Sequence, residues 1–225
     1  MFAGHVGAGL AIASAERRLN AGVFVVAACW LDLVLWTLVA LGIESATIPA
    51  DYASRHFVLF EFPYSHGLVA SLGWSAFAAL VVGPVTPAAR RLRVALLVAF
   101  AVWSHWGLDA LVHVAELPLA GPDSTRVGLG LWRHMPVALG LESLLLIAGT
   151  ALFVVRARLG RGKSIGIAAV AGATLLMTIA GMTVAPPPPS IFAMAASSLL
   201  TLAIVCALVF GFARPPRRTG ASTAV

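Results

Sequence analysis

The chain has 225 residues, of which 60% are hydrophobic and 11% charged, and its mean hydropathy is +0.95. A soluble domain carries about 25% charged residues, so this composition cannot supply a water-facing surface and excludes a soluble globular domain. The net charge of +6 does not point to nucleic acid, because Lys and Arg sit in short clusters between apolar runs, as they do at the loop ends of membrane proteins.

In chain order, the first apolar piece runs from Met1 to Ser14. It is too short for a comfortable span and reads as a half-helix or re-entrant segment. Arg17 and Arg18 follow it, whereas a cleavable signal peptide carries its positive charge in front. Spans are then expected over about 21–43, 65–83, 94–114, 136–155, 164–184 and 191–212, each close to the roughly 20 residues that a bilayer requires. Pro186 to Pro189 form a stiff turn between the last two. The fold class is therefore all-α, a polytopic membrane protein of about six transmembrane helices plus a short N-terminal half-helix. It divides into a polar-site core (1–155), an apolar two-span hairpin (156–213) and a disordered basic tail (214–225). Cys29 and Cys206 lie inside apolar runs, outside any CxxC pair, and read as packing residues.

Charge orients the bundle. Arg17, Arg18, Arg90, Arg91, Arg93, Arg156, Arg158, Arg161, Lys163, Arg214, Arg217 and Arg218 fall on one side of this layout and make up 12 of the 15 Lys and Arg. The positive-inside rule makes that side cytoplasmic. Loops 44–64 and 115–135 then face outward, and the C-terminus lies inside.

The hairpin from Ser164 to Ala213 has no Asp, Glu, Lys, Arg or His and reads as scaffold or as a surface for a partner. The ionisable groups embedded in the membrane lie earlier, and such groups usually face the bundle interior and mark function. The strongest constellation is SHWGLDALVH, residues 104–113, where His105, Asp109 and His113 follow one another at i, i+4, i+8. They spread over about 80° of one helix face. Imidazole and carboxylate at i, i+4 can share one divalent ion. All three span about 12 Å, too long for one ion, which leaves His113 for a second ion or the substrate. The alternative is an interhelical hydrogen-bond network. In EFPYSHGL, residues 61–68, Pro63 disfavours helix at the preceding residue. An outer loop thus delivers Glu61, Tyr64 and His66 to the mouth of the bundle, with Ser65 a candidate cap. Asp32 lies in mid-span, Glu142 in the outer part of the fourth span, and His5 in the N-terminal half-helix. By depth all of them converge on the outer half of the bundle. The GLGLW run at 128–132 is a candidate loop lining the site.

Gly4-His5, Asp32, Ser65-His66 and Ser104-His105 with Asp109 together resemble, over about residues 1–120, the YdjM-type inner-membrane proteins, a family described as membrane-bound metal-dependent hydrolases. The resemblance implies that His5, Asp32, His66, His105 and Asp109 are metal ligands or their neighbours. The chain departs from the family pattern in having a single Asp32 where a PDxD motif is usual, and Glu61 at the place of the first His of HRGxTH. These departures leave metal identity and number open.

The expectation is a membrane-embedded hydrolase using a divalent metal, zinc foremost, with His5, Asp32, His66, His105 and Asp109 as ligands. Glu61, His113 and Glu142 are the candidate catalytic groups, and the substrate is expected to be lipid-like or phospholipid-like. The localisation implied is a bacterial-type inner membrane, with the bilayer rather than nucleic acid as partner. Competing readings are a transporter or proton pathway built on the same residues, a haem protein with paired axial histidines, and a non-catalytic structural subunit. A transport path predicts polar residues continuing to the cytoplasmic face, and none lies below Asp32 and His105.

Overall fold

A computed structural model describes residues 1–213; the basic tail expected over 214–225 lies outside the described residues. The fold is all-helical apart from two short ribbons, as the composition requires. Among the described residues, five helices are long and apolar enough to cross a membrane, namely α5 (Leu68–Val85), α6 (Arg91–Val112), α7 (Met135–Ala157), α8 (Arg161–Thr183) and α9 (Ile191–Phe212). The span expected over 21–43 is broken in two. Helices α2 (Ala21–Ala28) and α3 (Trp30–Ala40) meet at Cys29 with a bend of 51°. The short helix α4 (Tyr52–Arg55) lies in the loop that follows them.

The N-terminal helix α1 (Phe2–Ala13) is the half-helix the sequence calls for, and it occupies the middle of the bundle. It packs against α2, α6, α7 and α8. A helix apolar on all sides belongs in such a place, and Ala3, Val6, Leu10 and Ala13 are all buried. Its close approach to α7 depends on glycine. A Cβ on Gly149 would lie 2.0 Å from the Gly7 carbonyl oxygen, and one on Gly7 would lie 2.4 Å from the Leu145 carbonyl oxygen. Small residues at helix crossings let backbones approach in this way. The N-terminus of α1 ends inside the protein, where its amide groups need acceptors. Glu142 of α7 supplies one, its Oε2 accepting from Ala3 N at 3.1 Å and Gly4 N at 3.4 Å.

At one end of the bundle Glu16 is buried, with Oε1 3.2 Å from Arg90 Nη1 and Oε2 3.8 Å from Arg93 Nε. Asn20 caps α2 through Gly22 N and ties it to the Phe210 carbonyl of α9. At the other end, two antiparallel ribbons organise the long loops. Strand β1 (Ser45–Thr47) pairs with β2 (Leu59–Glu61), and β3 (Leu117–Pro118) with β4 (Arg126–Val127). Glu116 joins the two loops by accepting from Phe60 N at 2.9 Å. Gly128, at φ 151°, is needed where its backbone runs against Val114; a Cβ there would lie 2.1 Å from the Val114 carbonyl oxygen. Ser65 does not cap α5. The helix starts two residues beyond His66, with Gly67 at its N-cap.

Gly149→Val is expected to destabilise the α1–α7 crossing by about 1–3 kcal/mol or more, the usual cost of overpacking. It should lower the unfolding temperature of the detergent-solubilised protein. Gly172→Val, at a position with no neighbour within 4 Å of the added Cβ, should leave that temperature unchanged. Equal behaviour of the two variants would contradict the crossing.

Candidate metal centre

Four separate stretches of chain deliver five polar residues to one point. Helix α1 brings His5, α3 brings Asp32 just after the break, the turn before α5 brings His66, and α6 brings His105 and Asp109. His105 Nε2 lies 3.1 Å from Asp109 Oδ2 and 3.7 Å from Asp32 Oδ1. His66 Nε2 lies 3.3 Å from Asp109 Oδ2 and 3.9 Å from Asp32 Oδ1. The two Nε2 atoms are 3.1 Å apart. His5 Nε2 approaches the other Asp109 oxygen, Oδ1, at 3.0 Å, and its ring stacks on His105 with centroids 3.5 Å apart. The Met1 amino nitrogen also lies near this oxygen, at 3.3 Å.

Hydrogen bonds on the far side of each ring assign the tautomers. His105 Nδ1 lies 2.7 Å from the Ala28 carbonyl, the last residue before the α2–α3 break. A carbonyl only accepts, so Nδ1 carries the proton and Nε2 presents a lone pair. Ser65 Oγ donates to Glu44 Oε2 at 2.6 Å. A hydroxyl has one proton, so Ser65 accepts at 2.9 Å from His66 Nδ1. Glu44 also accepts from Tyr64 N and Ser65 N. Burial raises the Glu44 carboxyl above its ordinary value, and the hydrogen bonds from Ser65 and Tyr64 counter that rise. With its Nδ1 proton donated to Ser65, the neutral His66 ring presents a lone pair at Nε2 as well.

In these neutral tautomers two imidazole lone pairs face each other at 3.1 Å among carboxylate oxygens, a repulsion that a bound proton or metal ion would relieve. Nitrogen ligands at about 2.0–2.1 Å from one tetrahedral ion stand about 3.3–3.4 Å apart, close to the separations found here. His5, His105 and Asp109, and separately Asp32, His66 and His105, form sets whose ligand atoms lie within 4.8 Å of one another. The donor set therefore fits a divalent metal ion, with Asp109 offering one oxygen to each side. The backing of ligand rings by a carbonyl and by a Ser–carboxylate pair is the usual outer support of such sites.

His113 stands at the margin. It leaves the helical path at the end of α6, with ψ 148°, and its Nε2 is 3.8 Å from Asp109 Oδ2. Its Nδ1 is 2.6 Å from Glu116 Oε1, and Trp132 packs on the ring with centroids 4.1 Å apart. Glu142 is buried at the start of α1, as described above. Glu61 is not brought to the cluster. Its side chain is 71% exposed on β2 and faces Arg126 at 3.8 Å. Sequence reasoning missed Glu44 and Glu116, the two buried loop carboxylates that orient His66 and His113. A lone acidic residue in a loop is ordinarily solvated, so no sequence signal marks either one.

The cluster opens on a cavity of about 430 Å³, within the size range of small-molecule sites. Asp32, His66, His113 and Glu142 lie on one side of it. Opposite them are Met177, Thr178, Met182, Met194, Ser198 and Thr201 of α8 and α9. The hairpin that reads as scaffold is therefore also a wall of the site. Asp32 is the ligand-set residue most open to the cavity, its side chain 17% exposed while those of His5, His66, His105 and Asp109 are at most 1% exposed. Trp132 of the GLGLW run lines the cavity too.

Comparison of the chain with protein-family models, with curated proteins and with solved structures finds no match.

Ser65→Ala and Glu44→Gln are each expected to weaken divalent-metal binding by about 10–100-fold, the range for losing an outer partner of a ligand, while the fold is retained. Competition against a chromogenic chelator measures this. Wild-type affinity in both variants would remove the tautomer assignment of His66.

Proposed function

We propose that the chain is a membrane-embedded metal-dependent hydrolase of the YdjM type, holding a divalent ion, zinc foremost, between Asp32, His66, His105 and Asp109, with His5 on the second oxygen of Asp109. The observation that carries this reading is the meeting of the Nε2 atoms of His66 and His105 among carboxylate oxygens at the wall of a cavity. Such an ion, when bound, lowers the pKa of a water ligand and polarises a carbonyl or phosphoryl oxygen.

The protein's own groups supply the rest. Ala28 and Ser65 hold the two imidazoles in the ligand tautomer. Glu142 lies on the cavity wall with one oxygen anchored by the α1 amides, placed to accept a proton from water. His113, with its Nδ1 proton directed to Glu116, presents Nε2 toward the same space for proton transfer to a leaving group. Val25, Ala28, Val98, Ala101 and Leu10 are buried, and none of them lines the cavity. That apolar packing supports a one-sided pocket over a path through the bundle. The asymmetry of Lys and Arg supports an inner-membrane orientation with a cytoplasmic C-terminus and the pocket on the outer side, where a lipid substrate can enter.

Metal analysis of the detergent-purified protein tests the reading. The wild type should carry about one or two equivalents of zinc or a similar ion, and His105→Ala and Asp109→Ala much less. The same variants should lose hydrolysis of lipid esters. Full metal content in both variants would overturn the proposal.

A further inference from the structure

Three helix faces enclose the cavity. On α8, Thr178, Gly181 and Met182 line it at i, i+3 and i+4, and on α9, Met194, Ser198 and Thr201 at i, i+4 and i+7. Residues so spaced share one side of a helix, so Gly181 faces the cavity, and a Cβ added there meets nothing within 4 Å. On α3, Asp32, Leu35 and Trp36 line it at i, i+3 and i+4, which brings any occupant beside the candidate metal centre. Four of the five methionines of the chain, Met1, Met177, Met182 and Met194, also lie on this wall. Flexible, polarisable thioethers fit themselves to apolar ligands of varying shape. The cavity starts among Tyr52, Phe57 and Pro186 at the ribbon end of the bundle and extends to Thr201 and Leu202. Thr201 is about 15 Å along α9 from Ile191, half of the roughly 30 Å hydrocarbon core of a bilayer. Met177 and Ser197 line the cavity and are exposed on the two apolar helices, so its edge reaches the surface that lipid chains cover.

We infer that the space between α3 and the α8–α9 hairpin holds a single alkyl chain of a bilayer lipid, with Gly181 and Ser198 setting its width. The polar side of the cavity carries charges of both signs, with Asp32 and Glu142 on the wall and the Met1 amino group beside Asp109. Selection by the groove therefore acts on the chain and leaves the headgroup open. The inference places the substrate's chain in the proposed hydrolase and rests on that reading only for cleavage. The chain itself is held by apolar contacts on α3, α8 and α9 and needs no metal ion.

The test uses the purified full chain in phosphatidylcholine nanodiscs containing a phosphatidylcholine probe with a diazirine on one acyl chain. Illumination should label Trp36, Phe57 and Leu202, which line the cavity and are buried from bulk lipid. Leu176 of α8, 70% exposed, reports contact with the surrounding bilayer. Gly181→Phe and Ser198→Phe fill the groove from its two sides. Each should cut labelling of Trp36 and Leu202 at least about tenfold relative to Leu176, with an unchanged unfolding temperature, and one folded variant of the two decides. Labelling confined to lipid-facing residues in the wild type, or wild-type labelling of Trp36 and Leu202 in a folded variant, would overturn the inference. Metal-depleted His105→Ala should keep the labelling of the cavity, and its loss from the folded variant would overturn a groove built by the hairpin. Full metal content without cavity labelling would overturn the groove and keep the hydrolase. Cavity labelling in a wild type that takes up no metal would keep the groove and overturn the hydrolase.

Discussion

Asp109 is the contact on which the arrangement depends. Its Oδ1 meets His5 of α1, and its Oδ2 meets His66 from the turn before α5 and His105 one turn back on α6. A carboxylate buried to this degree inside an apolar bundle is expensive unless each lone pair finds a partner. Its neighbours come from different helices, so satisfying it draws those helices together. The two sets of candidate ligands share His105, which lies against Asp109 Oδ2. Stability of the core and geometry of the site are one problem here, and a change at Asp109 perturbs both.

The second constraint is the position of α1. A twelve-residue helix cannot span a bilayer and has polar ends to satisfy, so its N-terminus can lie in the core only where acceptors await it. Glu142 provides one, and Gly7 and Gly149 let the helix come close enough to reach it. The pieces are interdependent. The glycine crossing sets the height of α1, that height places His5 against Asp109, and Glu142 is fixed on the cavity wall by the amides it caps. The break at Cys29 does a similar task on the opposite side. It leaves the Ala28 carbonyl to His105 and starts α3 close enough for Asp32 to reach the same two imidazoles.

What the sequence made legible follows from periodicity and from the cost of charge in lipid. Apolar runs of about twenty residues announce the spans, and an imidazole and a carboxylate at i, i+4 must share a helix face, as His105 and Asp109 do. His5, Asp32 and His66 could be nominated because a buried ionisable group needs a reason. The rest depends on tertiary contact. Nothing local distinguishes Glu44 and Glu116, which are buried against His66 and His113, from Glu61, which is exposed beside Arg126. The bend at Cys29 carries no proline or glycine to signal it. The α8–α9 hairpin has no charged residue within its apolar stretch, so its place on the cavity wall appears only when the helices are packed.

That same lack of charge sets the character of the cavity wall on the hairpin side. A wall of methionine, hydroxyl and small side chains offers apolar contact area and some hydrogen-bonding groups. On the proposed reading, a bound dication would be balanced largely by Asp32 and Asp109, with the Met1 amino group beside Asp109 Oδ1. The arrangement separates two demands, because helices α1, α3 and α6 fix the ligand atoms while α8 and α9 shape the space in front of them. Substitutions on α8 and α9 can alter which chain fits without touching the residues that meet at Asp109.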